Sequence, residues 1–384
     1  MGETMTGTVL RGFRSAFDGT FRAIFADRAV VTVMVGAVIL YSFFYPMGYR
    51  QQVASEQPVV IVDQDRTPLS RELIRHIQRV NAVHVIAIVE SEAEAAAQVA
   101  AMRAEGFAVI TSGFERDILR GNPGPIALYG NGAFLGRTNR VLTGLGDAIG
   151  GFAHEAAIRQ AAFAGAATPP PFHLVQRPLF NTREGYGSAV VTGVAELIIQ
   201  QTLLIGIAVM AGTRRERKGR LFFSAPQLMG IATACVLVGL INMLYYAGFM
   251  FWYQDYPLGG NLAGLLLGGL LFIGAVVAFG LFLASFFRTR ERAYPLILVT
   301  SLPLFFLSNL SWPATATPGW LVWLAKLIPS TPGINVMVKF NQLGASFTEA
   351  APEIVNLLVL IIVFGALAWW RYRRPGTTSP RSIE

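Results

Sequence analysis

The chain has 384 residues, 53% apolar and 14% charged, with a mean hydropathy of +0.49 and a formal net charge of +8. A soluble domain carries about 25% charged residues, so a single water-soluble globule is excluded, and the length leaves room for a membrane bundle plus one extramembrane domain. The positive charge would suggest nucleic acid in a soluble chain, but here it gathers in short clusters beside apolar runs; the one cysteine, Cys235, lies inside such a run, so no disulfide can form within the chain.

The first predicted element is a helix over 8–28. Phe13, Phe17, Phe21 and Phe25 recur every four residues among Arg11, Arg14 and Arg22, the pattern of an amphipathic helix lying on the inner leaflet rather than of a disordered basic tail. An apolar run at 29–47 follows, long enough to span a bilayer as a helix. Tyr41, Phe43, Phe44 and Tyr45 stand where a signal peptide would have small residues, so the run reads as a retained anchor.

Residues 48–188 alternate strand and helix signals. Strands are expected at 58–62, 83–89, 107–110 and 126–129, and helices at 69–80, 91–105, 114–119 and 136–163. The turn Asp65, Arg66, Thr67, Pro68 opens the first helix; Ser91 caps the second, with Glu94 completing a capping box. Pro169, Pro170 and Pro171 break the last helix, and 172–179 leads back to the membrane. This alternation predicts an α/β domain with a small mixed sheet.

Further apolar runs crowd the rest of the chain, with spans expected near 189–211, 228–252, 261–287, 293–310 and 353–370. Four basic clusters then share one side: Arg11, Arg14, Arg22 and Arg28; Arg214, Arg215, Arg217, Lys218 and Arg220; Arg288, Arg290 and Arg292; Arg371, Arg373 and Arg374. The positive-inside rule makes that side cytoplasmic. The loop at 253–260 has no Lys or Arg and faces outward. Between the last two spans, Trp312, Pro313, Pro318, Trp320, Trp323, Pro329 and Pro332 make 311–352 too interrupted for a simple span; a re-entrant segment at the outer leaflet fits, provided protein covers its backbone.

The expected fold class is a mainly α membrane protein: six transmembrane helices with an α/β extracytoplasmic domain inserted between the first and second. The expected divisions are an interfacial helix at 1–28, a first span at 29–47, a periplasmic domain at 48–188, a five-span bundle at 189–371 with its re-entrant segment at 311–352, and a cytoplasmic tail at 372–384.

Chemical motifs are sparse. The stretch from Gly212 to Gly219 lacks the G-x-x-x-x-G-K-[ST] spacing that cradles phosphates, so any ATP must be bound by another subunit. His76, His84, His154 and His173 have no ligand spacing, and no metal site or catalytic grouping is expected. Two features stand out. Glu196 is the only acid well inside an apolar run, with Gln200 a turn further on and Gln201 beside it. A charge there costs about 2.5–3.5 kcal/mol by insertion scales; it either faces a transport path or subunit contact, or snorkels to the outer interface. The second feature is Arg214, Arg215, Glu216, Arg217 and Lys218, leading into Leu221, Phe222, Phe223 and Pro226. It reads either as a topology signal alone or as a short basic-aromatic helix, ended by the proline, that docks a cytoplasmic protein.

The chain resembles the type 2 ABC exporter permeases, six-span subunits that pair with a separate ATPase. Val59, Val60, Ile61, Val62, Asp63, Gln64 and Asp65, followed by Ser70 and Arg71, resemble the start of that family's external domain, and Arg177, Pro178, Leu179, Phe180 and Asn181 its return to the membrane. Ile199 to Gly206 leading into Gly212, Thr213, Arg214, Arg215 and Glu216 resembles its second span and coupling segment; 307–313 with Leu327, Ile328, Pro329, Ser330, Thr331 and Pro332 resembles its outer re-entrant segment. The likeness covers nearly the whole chain.

The resemblance implies ATPase contact through Arg214, Arg215, Glu216, Arg217 and Lys218, beside the N-terminal helix, although here a single acid stands amid five bases. It also implies a permease dimer, identical or mixed, that is not itself an enzyme. ATP and magnesium would be held by the partner ATPase, with no cofactor in this chain. Members with a large external domain resemble drug-efflux permeases of the Gram-negative inner membrane that work with a periplasmic adaptor. The expected function is ATP-driven efflux, with membrane lipid as surroundings and no nucleic acid. The rivals are a receptor whose outer α/β domain binds a ligand and a membrane-embedded enzyme; the short inner segments supply neither an output domain nor acidic or histidine clusters.

Overall fold

The computed structural model describes residues 2–49, 55–120, 122, 124–131, 135–164, 186–256 and 260–373. Pro169 to Pro171, the return segment at 172–181, His173 and the tail beyond 373 lie outside them. The chain divides into two units, Met1–Gln52 with Pro178–Glu384, and Val53–Arg177.

The phenylalanine spacing produces α1 (Gly2–Ala26), on which the rings of Phe13, Phe17 and Phe21 stack at 6.3 and 6.1 Å. Asp27 then accepts hydrogen bonds from the N–H groups of Ala29 and Val30 at 3.0 and 3.4 Å, capping α2 (Arg28–Met47), which contains a π-helical turn at Thr32–Gly36.

The second unit comprises β1 (Gln57–Asp63), α3 (Pro68–Ile77), β2 (Val83–Val89), α4 (Glu92–Ala100), β3 (Gly106–Ile110), α5 (Phe114–Leu119), β4 (Ile126–Gly130) and α6 (Leu135–Ala164). The strand order is β2-β1-β3-β4; β1 runs parallel to β2 and β3, and β4 antiparallel to β3. Val59 and Ile61 pack on one side of the sheet in a core shared with Leu73 and Val141, while Val60 and Val62 pack on the other with Ala95. Burial on both faces explains why 59–62 reads as a continuous β-branched run. Two local expectations fail. Helix α4 ends at Ala100 rather than 105, because Met102 takes a left-handed conformation (φ 54°) that turns the chain toward β3. Ser91 caps α4 by accepting from the N–H of Ala93, without Glu94; the capping box forms instead between Thr67 and Ser70 at the start of α3.

The remaining helices are α7 (Tyr186–Lys218), α8 (Ala225–Tyr253), α9 (Leu262–Ala284), α10 (Arg290–Val299), α11 (Ser301–Leu307), α12 (Gly319–Lys326), α13 (Ser330–Asn341) and α14 (Ala351–Tyr372). Among the described residues α2, α7, α8, α9 and α14 are long and apolar enough to cross a membrane, which makes five spans, or six if the bent pair α12 and α13, which meet at 82°, counts as one. The chain is therefore a mainly helical, multi-pass membrane protein, with one small sheet among the described residues.

The fifth span expected at 293–310 is not a single helix. Pro303 has no N–H to bond the Val299 carbonyl, so the helix breaks at Thr300 into α10 and α11. Helix α7 is the axis of the bundle, packed by α2, α8, α9, α10 and α13.

Candidate functional site

Residues 214–218 continue α7 rather than forming a loop. The helix ends at Gly219, whose φ of 72° is the left-handed conformation that glycine adopts without strain. No basic-aromatic helix ending at a proline follows. Residues 221–224 have no regular structure, and Pro226 sits in the first turn of α8, where its missing N–H is no loss; Gln227 accepts from the N–H of Ser224 at 2.9 Å.

The five charged residues at this end divide into two groups. Arg214 donates from Nη2 to Thr20 Oγ1 of α1 at 3.1 Å, Arg215 donates to the carbonyl of Phe287 just beyond α9, and Glu216 Oε1 accepts from the N–H of Arg290 at 2.8 Å, the first residue of α10. Gly212 permits the last contact, since a Cβ there would lie 2.7 Å from the Arg290 nitrogen. Arg290 in turn donates to both carboxylate oxygens of Asp27 at 3.1 and 3.3 Å. The end of α7 is thus tied to α1, α9, α10 and the cap of α2. Arg217 and Lys218 are exposed, and neither forms an ion pair with another described residue. They face a cleft of about 720 Å³ beside α1, lined also by Arg28, Arg214 and Asp27. The sequence marked the charges but not Thr20, Asp27 or the close approach that Gly212 permits. The available signals were an acid just ahead of the first span and a glycine just ahead of the basic run.

Glu196, Gln200 and Gln201 share one stretch of α7 and are 2%, 0% and 7% exposed. Glu196 lies roughly 15 Å along the helix from its start, enclosed by the bundle rather than extended to its surface. Its Oε2 and the amide nitrogens and oxygens of both glutamines form no hydrogen bond among the described residues. Nearby polar groups are satisfied: Thr202 donates to the Ile198 carbonyl at 2.9 Å, Asn242 Nδ2 to the Met34 carbonyl at 2.8 Å, and Gln342 Nε2 to the Ser188 carbonyl at 3.0 Å. Each buried unpaired polar group costs about 1–3 kcal/mol, and three side chains carry that cost within two turns.

A third place is the crevice at the carboxyl ends of β1 and β3. The strand order reverses about β1, and α/β sheets bind ligands outside the strand ends at such a point. Here Asp65 fills it: Oδ1 accepts from the N–H of Gly113 at 2.6 Å, and Oδ2 from the N–H of Glu115 at 3.0 Å and from Thr67 Oγ1 at 2.6 Å. Asp63 beside it accepts from the N–H of Asp65 and Arg66 at 3.2 and 2.9 Å and from Ser70 Oγ at 2.9 Å. Burial pushes the Asp65 carboxyl up, but bonds from the Thr67 hydroxyl and the N–H groups of Glu115, Gly113 and Phe114 outweigh it and hold the group below its ordinary value.

A family model described as ABC-2 family transporter protein matches residues 28–370. The chain is 20% identical over 348 residues to the probable multidrug ABC transporter permease YbhR of Escherichia coli (strain K12), covering 89% of this chain and 93% of that protein. It is 22% identical over 386 residues to the inner membrane transport permease YhhJ of the same strain, covering 95% and 98%.

Proposed function

This chain belongs to the ABC-2 transporter family, and we propose that it is the dimeric membrane permease of an ATP-driven exporter, coupled to a separate cytoplasmic ATPase. The observation that carries the coupling is the division of labour at the end of α7. Arg217 and Lys218 remain free to engage a partner, while Arg214, Arg215 and Glu216 fasten the same turns to α1, α9 and α10. A displacement imposed on the exposed pair is carried into α7, and with it Glu196, Gln200 and Gln201. Two discrete arrangements of α7, biased by the nucleotide state of the ATPase, would open the path between two permease copies.

In this reading the basic clusters are cytoplasmic, residues 48–188 face the periplasm, and both termini lie on the cytoplasmic side of the inner membrane. Helix α14 accounts for one crossing between the clusters at 288–292 and 371–373, so the chain must cross once more before it. Helices α10 and α11 together are about 27 Å long, close to the roughly 30 Å hydrocarbon core, and α10 packs along α7. They make that crossing in two pieces, leaving α12 and α13 as the outer re-entrant pair. The substrate is of the drug-efflux class named for one relative, with an adaptor on the periplasmic side. The rival reading, a receptor, loses its most natural ligand position to Asp65.

The test is Arg217→Glu with Lys218→Glu. Membrane insertion and elution as a folded species stay unchanged, while the ABC ATPase no longer co-purifies and transport stops. Unchanged co-purification and transport would reduce the pair to a topology signal.

A further inference from the structure

Three helices, α7, α9 and α14, end near one another, each presenting C-terminal carbonyls that lack helical partners. Arg215, Arg220, Arg288 and Arg371 line a cavity of about 750 Å³ there, and no acidic residue lines it. Part of the charge is used locally: Arg215 donates to the Phe287 carbonyl, and Arg371 to the hydroxyl and carbonyl of Ser285 at 3.3 and 3.4 Å, which complements the C-terminal dipole of α9. Arg220 and Arg288 are exposed and pair with no acid among the described residues. Arg220 lies over the Phe222 ring and Arg371 over the Phe286 ring, at 5.8 and 4.9 Å. Four guanidinium groups with no carboxylate between them call for an anion from outside the chain.

A separate apolar groove of about 550 Å³ lies between α8, α9 and α14, walled by Leu228, Val277, Leu281, Ile361 and Trp369. Leu281 in the groove and Ser285 in the cavity are one turn apart on α9; Ala368 and Arg371 stand in the same relation on α14. At Gly365 the floor of the groove is open, with nothing within 4 Å of where a Cβ would point.

We propose that cavity and groove together hold one anionic phospholipid, its phosphate among the arginines and an acyl chain along the groove. Basic pockets between transmembrane helices take anionic headgroups, and guanidinium forks suit phosphate oxygens. A soluble phosphate would use only the arginine half, and an acidic protein segment would leave the apolar half unmatched. The proposal rests on the chain being a membrane protein and needs neither the ATPase nor the direction of transport.

The experiment is native mass spectrometry of the purified full chain, released from detergent with added phosphatidylglycerol or phosphatidylcholine. The expected result is preferential retention of phosphatidylglycerol. Arg220→Gln with Arg288→Gln weakens it roughly thirtyfold, the worth of two arginines at a lipid headgroup. Gly365→Leu, which fills the groove from an open position, also lowers retention, and excess inorganic phosphate does not displace the lipid. Equal retention of the two lipids, or a preference unchanged in the double arginine variant, would overturn the proposal. Displacement by inorganic phosphate, or indifference to Gly365→Leu, would do so in favour of a soluble anion. If the double arginine variant keeps its lipid but loses the ATPase, the face belongs to that partner instead. All variants lie at exposed or open positions, and unchanged elution volume establishes that they fold. Equal retention of the two lipids by the unaltered chain, with ATPase binding through Arg217 and Lys218 intact, separates this failure from that of the export reading.

Discussion

Two side-chain clusters, one in each unit, bury polar groups in opposite ways. In the outer unit all four carboxylate oxygens of Asp63 and Asp65 accept hydrogen bonds from their own chain. In the bundle, Glu196 Oε2 and both amides of Gln200 and Gln201 are buried with none. The first arrangement is closed and structural. The second is open, with buried donors and acceptors that no described residue meets. The solvent explains why such residues collect on α7. Its apolar stretch is almost wholly buried, whereas that of α14, which is more apolar still, is mostly exposed. Acyl chains are as apolar as leucine, so apolarity does not draw a helix inward; polar and small residues do.

The largest expected effect breaks the closed arrangement. Asp63→Ala removes the acceptor from Ser70 Oγ, which is fully buried, and from the N–H groups of Asp65 and Arg66. The outer unit should lose about 3 kcal/mol, read in the full chain as faster hydrogen exchange across 57–89 with exchange across 186–218 unchanged. Equal acceleration in α7 would mean that the two units do not bury their polar groups independently.

The open arrangement predicts the opposite sign. Glu196→Leu replaces an unpaired acid by an apolar group of similar size, so the solubilised chain should gain about 1 kcal/mol in thermal stability. Transport should nevertheless fall about tenfold, the worth of one lost hydrogen bond. Glu196→Gln keeps size and bonding capacity and should lower transport while the complex still assembles. If Glu196→Leu destabilises the chain as Asp63→Ala does, the acid already has its partner and the contrast between the units disappears.

Local chemistry was legible in the sequence and distant pairing was not. The strand at 83–89 and the helix at 114–119 follow from β-branched runs and turn residues, and both appear with those limits. The expected fifth span comes as two helices rather than one because a hydropathy average ignores the single missing N–H of Pro303. The turn at Asp65 was readable, but its partners at Gly113 and Glu115 come from another strand-helix junction. At the end of α7, charge marks a side of the membrane. Which charges are anchored depends on Thr20, Phe287 and Arg290 in three other segments. Glu196 could be singled out because a lone acid within an apolar run is costly wherever it folds.

The smallest effect concerns Asp65, where burial and hydrogen bonding compete within the closed arrangement. Its carboxyl is held below the ordinary value of 3.8, so the ionised group stabilises the folded outer unit above that value, and this contribution is lost as pH falls through the lower folded-state value. Asp65→Asn keeps the shape but not the charge. Because the site is partly exposed and screened, the variant should cost under about 1 kcal/mol near neutral pH. Thermal unfolding of both chains from about pH 6 to about pH 3 should show this gap closing on acidification, as the wild-type carboxylate takes up its proton. A gap that widens instead would mean that burial outweighs the hydrogen bonds. The carboxylate would then fill the crevice at a net cost, the unit would be stabilised by whatever displaced it, and the receptor reading would regain its ligand position.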